Sequence, residues 1–326
     1  MSNTSSSSPP DAAPQRPVTP AAPMIPANAV TAAVNPHLDG RAIVTLLLCC
    51  ALWGLNQVAI KAVLPEVPSL VQFSVRSVLA FALVLGWMGW RGIRWREHRH
   101  TLAPGLLAGL LFAVEFALVF VGLQYTTAAR SVVFINTSPF VVALVLAAVL
   151  PAERLRPLQM AGLLLAFAAI AWAFGDGLSP AGDGRAWLGD LLVLGAALLW
   201  GLTTVTIRLS SLRAAPFELT LAYQLGMAAL LAPLGAWLAG QSMPAQWSLL
   251  ALGSLFYQAV IVTFASYLLW FWLLTRYAAT KVQAFVFLSP VFGTLFAGLL
   301  LGEPLTAALL TALAGVALGL TLLNRR

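Results

Sequence analysis

The chain has 326 residues, of which 60% are hydrophobic and only 9% charged, and its mean hydropathy is +0.89. Soluble domains carry about 25% charged residues, so the composition excludes a soluble enzyme or binding module and describes an integral membrane protein. The net charge of +7 does not point to nucleic acid, because most basic residues stand in short segments between apolar runs, where they act as topology signals.

Residues 1–40 are Ser, Pro, Ala and Thr with almost no charge, and read as a disordered cytoplasmic tail. A signal peptide needs a basic start followed at once by an apolar core; here the first long apolar run begins only at Ala42. From there, stretches of about 20 apolar residues, each long enough to cross a bilayer, fall near 42–62, 69–90, 103–123, 128–150, 157–174, 187–207, 215–239, 248–273, 280–301 and 304–323. Pro, Gly and Asp between Ser179 and Asp190 mark a linker in the middle. The two cysteines, Cys49 and Cys50, are adjacent in an apolar run, and neither a disulfide framework nor a metal spacing is present.

The two halves repeat each other. Trp53-Gly54-Leu55, followed by Val58, Ile60 and Lys61, recurs as Trp200-Gly201-Leu202 with Val205, Ile207 and Arg208, an offset of 147. Ser138-Pro139 recurs as Ser289-Pro290 at an offset of 151, each pair preceded by a cation, Arg130 or Lys281. Glu153-Arg154-Leu155 meets Glu303-Pro304-Leu305 at an offset of 150. Offsets that drift so little describe an internal duplication, with five-helix repeats at 42–174 and 186–323.

With the N-terminus in the cytoplasm, that side receives fourteen cations and the other side three (Lys61, Arg130 and Arg185), which predicts N-in and C-in. Because five is odd, span 1 runs outward and span 6 inward. The expected fold is therefore all-α, with ten transmembrane helices arranged as two inverted five-helix repeats. Inverted repeats are a transporter architecture with the solute site near the bilayer midplane.

The motifs resemble those of the drug/metabolite transporter superfamily, and within it the EamA-type family. They are Ala51-Leu-Trp-Gly-Leu-Asn-Gln, Ala197-Leu-Leu-Trp-Gly, Tyr125-Thr-Thr-Ala-Ala with Ser138-Pro139, Tyr277-Ala-Ala-Thr-Lys with Leu288-Ser-Pro, Glu153-Arg-Leu and Leu301-Gly-Glu-Pro-Leu. The resemblance runs from about residue 42 to 323. It implies a secondary carrier of the inner membrane, and bacterial relatives are mostly exporters of amino acids and other small metabolites.

Ionisable groups inside the hydrocarbon region are costly and usually face a cavity or a partner. Glu115 in span 3 and Arg76 in span 2 lie at similar depths, about 10–12 Å from the outer end at 1.5 Å per residue. They are expected to form an ion pair, serving either proton or solute coupling or a static orientation of the two helices. Trp53, Asn56 and Gln57 share one helical face, as do Trp200, Thr203 and Thr204. If those faces turn inward they supply an indole wall and hydrogen-bonding groups; the competing reading is helix packing, with Thr bonded to its own backbone. Asn136 and Gln283 are polar neighbours within reach of a solute. Pro139 and Pro290 are expected as mid-span kinks. Arg130 and Lys281 read first as membrane anchors and second as gate charges.

Taken together, the expected protein is a secondary active transporter exporting a small metabolite, such as an amino acid, by alternating access across the inner (plasma) membrane. The alternative is efflux of cationic drugs with Glu115 as counter-charge. A membrane-embedded enzyme is the third reading, and it lacks support: the sequence offers no Asp-rich metal motif, no Ser/His/Asp set and no phosphate-binding loop. No cofactor is implied. The partners are a small-molecule solute, protons in a coupled mechanism, and the lipid bilayer, and one chain is sufficient to enclose a cavity.

Overall fold

The computed structural model describes residues 39–149, 155–177, 184–277, 282, 285, 286 and 288–323. The expected tail up to residue 38, residues 179–183 of the expected linker, and Lys281 and Gln283 lie outside them. The helices are α1 (Gly40–Ala62), α2 (Ser69–Arg91), α3 (Leu102–Gly122), α4 (Ala128–Ile135), α5 (Ser138–Val149) and α6 (Pro157–Gly177). The second half supplies α7 (Ala186–Leu209), α8 (Phe217–Leu238), α9 (Leu249–Phe256), α10 (Tyr267–Arg276), α11 (Leu288–Leu301) and α12 (Ala307–Leu323). A π-helical stretch, Tyr257–Ser266, joins α9 to α10.

Helix starts follow from local chemistry. Asp39 accepts from Ala42 N at 2.7 Å at the start of α1, Thr127 caps α4 through Arg130 N, and Ser248 caps α9 through Ala251 N. Pro68 and Pro216 stand immediately before α2 and α8, where a missing N–H costs nothing. Gly92 ends α2 in the left-handed region, φ 71°, which a residue with a β-carbon enters only with strain.

Among the described residues there is no β-strand. Seven helical segments are long and apolar enough to cross a membrane, and three shorter apolar ones (Pro157–Ala173, Leu288–Leu301, Ala307–Leu323) stand at the expected positions of spans 5, 9 and 10. Large apolar side chains also cover the outer surface, for example Leu164, Leu230 and Leu299, each more than 60% exposed. An exposed apolar surface of this kind is suited to lipid. The chain is a multi-pass membrane protein.

The principal helix contacts run between the halves. α1 packs on α11, α2 on α8, α3 on α7 and α8, α5 on α7, and α6 on α12. Glycines set the closest crossings, since small residues let backbones approach in a membrane. A β-carbon on Gly54 would stand 2.6 Å from Gly293 N and 2.7 Å from Ser289 O. One on Gly201 would meet Val141 at 2.7 Å, and one on Gly162 would lie 2.7 Å from Gly319 O. The last turn of α1 and the first turn of α7 meet at the same end of the molecule. There Lys61 Nζ donates to Thr126 O, and Thr126 Oγ1 donates to Asp190 Oδ1.

Three expectations need correction here. The fourth span is interrupted at Asn136–Thr137 rather than kinked at Pro139, which opens the next helix. Pro139 has no N–H for the Ile135 carbonyl, and the side chains of Asn136 and Thr137 fold back onto Val132 O and Phe134 O, both at 2.7 Å. Pro290 likewise sits in the first turn of α11 rather than mid-helix, a position where proline is tolerated. Asp190, expected at the end of a linker, lies inside the first turns of α7 with no exposure, because a cation matches its charge there.

Candidate functional site

A cavity of about 500 Å³ opens between the two halves, within the range of small-molecule sites, roughly 300–1,000 Å³. α1 contributes Trp53, Asn56 and Gln57, and α7 contributes Trp200, Thr203 and Thr204, so both copies of the duplicated face turn inward. α3 adds Phe112, Glu115, Phe116 and Val119, spaced three and four residues apart on one stripe. Asn136 enters at the break between α4 and α5, which aims it inward. Tyr267 and Trp270 of α10 also line the cavity. The lining continues to Leu212, Arg213 and Phe217 at the turn between α7 and α8, which marks the mouth.

The aromatic wall is fixed by specific contacts. Trp53 Nε1 donates to Ser266 Oγ at 2.8 Å, and Ser266 Oγ donates in turn to Val262 O at 2.6 Å. The Trp53 ring meets Trp270 edge-on at 5.1 Å and Tyr267 at 6.2 Å between centroids. Thr203 and Thr204 spend their hydroxyls on Leu199 O and Trp200 O, one turn back. Their contribution to the cavity is therefore a methyl-bearing surface with the hydroxyl hydrogen already engaged.

The expected ion pair between Arg76 and Glu115 is not formed. Among the described residues the direct pairs within 4 Å are Arg94–Glu97 and Arg130–Asp190. Arg76 is buried behind the cavity wall, where its Nε donates to Thr263 Oγ1 at 2.8 Å and its guanidinium lies 4.2 Å from the Phe116 ring centroid. Phe116 follows Glu115 on α3 and takes the face toward Arg76, while Glu115 faces the cavity with its Oε2 unpartnered. Thr263 is presented by the π-helical stretch, in which its hydroxyl donates to Gln258 O five residues back at 2.7 Å; such stretches recur at functional sites.

Of the residues expected at a site, Trp53, Asn56, Glu115, Asn136, Trp200 and Thr203 line this one cavity. Arg76, Pro139 and Pro290 do not line it. Gln283 lies outside the described residues. The α3 aromatics Phe112 and Phe116 were missed, although their spacing from Glu115 carried the signal.

A second constellation escaped sequence reasoning. At the end opposite the mouth, Arg130 forms a buried ion pair with Asp190, donates through Nη2 to Ala173 O at 2.6 Å, and shares Asp190 with Thr126 Oγ1 at 2.5 Å. Lys61 Nζ donates to Leu123 O and Thr126 O, both at 2.6 Å. Glu303, from the connection between α11 and α12, accepts from Ala128 N at 2.8 Å and Ala129 N at 2.9 Å, capping α4 with a carboxylate. Six segments from both halves are tied together within this cluster.

Comparison with known proteins agrees with this picture. The model of the EamA-like transporter family matches twice, at residues 40–175 and 187–325. The chain is similar to an uncharacterized transporter of Archaeoglobus fulgidus, 26% identical over 82% of this chain and 91% of that one. It is also similar to the uncharacterized transporter YvbV of Bacillus subtilis, 26% identical over 88% and 92% of the two chains. A "probable amino-acid metabolite efflux pump" of Escherichia coli is 27% identical over 81% of this chain and 88% of its own. One crystal structure, 22% identical, superposes with a TM-score of 0.59 over 88% of this chain and 99% of that chain, so the fold is shared. The chain is a membrane transporter and belongs to the EamA-like transporter family.

Proposed function

We propose that the protein is a secondary carrier exporting a small metabolite, such as an amino acid or a related compound, across the inner membrane by alternating access. The observation that carries this reading is a cavity shared by the two halves, open at one end and tied shut at the other. Its mouth lies at the Leu212–Phe217 turn, and the Lys61–Arg130–Asp190–Glu303 cluster lies at the opposite end.

Several features support two inverted five-helix repeats. α1 runs toward the tied end and its counterpart α7 runs away from it. The contact of α1 with α11 has its counterpart in that of α7 with α5, and α2–α8 and α6–α12 pair equivalent helices. The cation bias puts Arg41, Arg91, Arg208 and Arg213 on the cytoplasmic side, so the mouth faces the cytoplasm and the arrangement is inward-open. Rocking one half against the other would break the tied end and close the mouth, exposing the site to the outside. The family's exporter relatives support the outward direction.

The experiment is a growth screen of an overexpressing strain against toxic amino-acid analogues and cationic dyes, with Glu115→Gln beside it. Resistance to analogues that the mutant loses supports metabolite export through this cavity. Resistance confined to dyes replaces it with the cationic-drug reading, which the unpaired Glu115 favours. Equal sensitivity of overexpressing and control strains to every compound counts against export.

A further inference from the structure

The cavity's charge distribution narrows the class of solute, given the carrier reading above. Glu115 is 3% exposed and makes no hydrogen bond or ion pair, and one of its oxygens is buried without a partner. A carboxylate left in this way inside an apolar bundle is costly unless a cation reaches it. Arg76 acts on Glu115 electrostatically from behind the wall without pairing with it: the Phe116 ring stands against its guanidinium, its Nε is held by Thr263, and its Nη1 is buried without a partner. Among the described residues, the other charged group on the wall is Arg213, exposed to solvent at the mouth. The wall of the deep chamber therefore carries an acidic side chain and no basic one, the Arg76 guanidinium lying behind it.

The groups around that charge suit an ammonium. Asn56 Oδ1 and Gln57 Oε1 are, like Glu115 Oε2, buried acceptors with no partner. Asn136 donates one amide N–H to Val132 O, and its carbonyl oxygen is left for a donor in the cavity. Trp53 has already spent its indole N–H on Ser266, so it presents a ring to the solute. Together with Tyr267 and Trp270 it forms an aromatic surface able to attract a cation through ring quadrupoles and to cover an apolar body.

We infer that the site recognises the protonated amine of its solute, held by Glu115 with Asn56, Gln57 and Asn136 while the aromatic wall covers an apolar body, and that a carboxylate on the solute is dispensable. Arylalkylamines and amino acids share the recognised group. Acids without an amine do not carry it, and they offer no ammonium to the unpartnered acceptors.

The test uses full-length protein reconstituted in liposomes and three probes with one phenyl body: 2-phenylethylamine, phenylalanine and 3-phenylpropionate. Binding is measured by equilibrium dialysis of the labelled compounds, and uptake by the same vesicles is followed in parallel. The amine is expected to bind at least as tightly as phenylalanine, and 3-phenylpropionate about tenfold or more weakly, the scale of one lost charged hydrogen bond. Glu115→Gln should weaken both amine-bearing probes by about tenfold. Glu115→Asp, which keeps the charge, should restore amine binding to within a few-fold and so separates lost recognition from lost folding. Equal or tighter binding of 3-phenylpropionate, unchanged amine binding in Glu115→Gln, or no binding of the amine overturns the inference. Binding of the amine without uptake would sink the carrier reading and leave the amine site standing. Uptake of 3-phenylpropionate alone would do the reverse.

Discussion

Gly54 of α1 lies against Ser289 at the start of α11: a β-carbon on Gly54 would stand 2.7 Å from the Ser289 carbonyl oxygen. The relationship recurs in the other half, where a β-carbon on Gly201 would lie 3.2 Å from the Ser138 carbonyl oxygen. The duplicated Trp-Gly and Ser-Pro motifs are thus two sides of one contact, made twice. Each glycine brings its helix close, and the tryptophan beside it turns to the cavity.

Gly54→Ala is therefore expected to force α1 from α11 and to lower stability by about 1–3 kcal/mol, the usual cost of overpacking. Gly89 on α2 has nothing within 4 Å of its would-be β-carbon, so Gly89→Ala should be neutral or slightly stabilising. Thermal unfolding of the two variants in the same detergent checks the contrast. An equal melting temperature for both would remove the close crossing as the cause.

Neutralising Asp190 takes the carboxylate away from the buried Arg130 guanidinium. Asp190→Asn should cost about 3–5 kcal/mol of the tied state. In the carrier reading that loss shifts the population toward the outward-open form. A cysteine placed at Asn136, in a background with Cys49 and Cys50 replaced, should then react faster with an impermeant maleimide added outside intact cells. Unchanged labelling would show that this pair is structural only.

Glu303 satisfies two N–H groups at the start of α4, Ala128 and Ala129, across the two halves. Glu303→Ala should cost about 1–2 kcal/mol, the scale of a lost helix cap. Glu303→Gln, which keeps one carbonyl acceptor, should cost less. Chemical denaturation in detergent measures both, and equal losses would assign the whole effect to the carboxylate's charge and second bond.

Trp53 holds two roles that substitution can separate. Trp53→Phe keeps a ring on the wall but loses the bond to Ser266, so binding of an amine probe should weaken only a few-fold. Trp53→Ala removes the aromatic face and should weaken it by about tenfold or more, as hot-spot truncations do. Titration of 2-phenylethylamine onto the three proteins gives the comparison; identical affinities would take Trp53 off the solute surface.

Much of this protein was determined by the sequence by itself. Apolar run lengths specify membrane helices because backbone groups in lipid must be satisfied within a segment. The offset of 147 between Trp53 and Trp200 exposes the duplication, since a repeated fold retains its motifs in register. The periodicity that puts Trp53, Asn56 and Gln57 on one helical stripe holds for any α-helix, and the cavity face was legible from it. What the periodicity left open was which stripe faces which neighbour. Arg76 and Glu115 share a depth, and depth is a one-dimensional quantity; only the packing of α2 and α3 decided that Phe116 stands beside the guanidinium and that the carboxylate faces the chamber. Arg130 and Asp190 are 60 residues apart in separate halves, and Glu303 reaches α4 from 174 and 175 residues away. Long-range charge pairing of this kind depends on the three-dimensional meeting of helix ends, which no local pattern encodes.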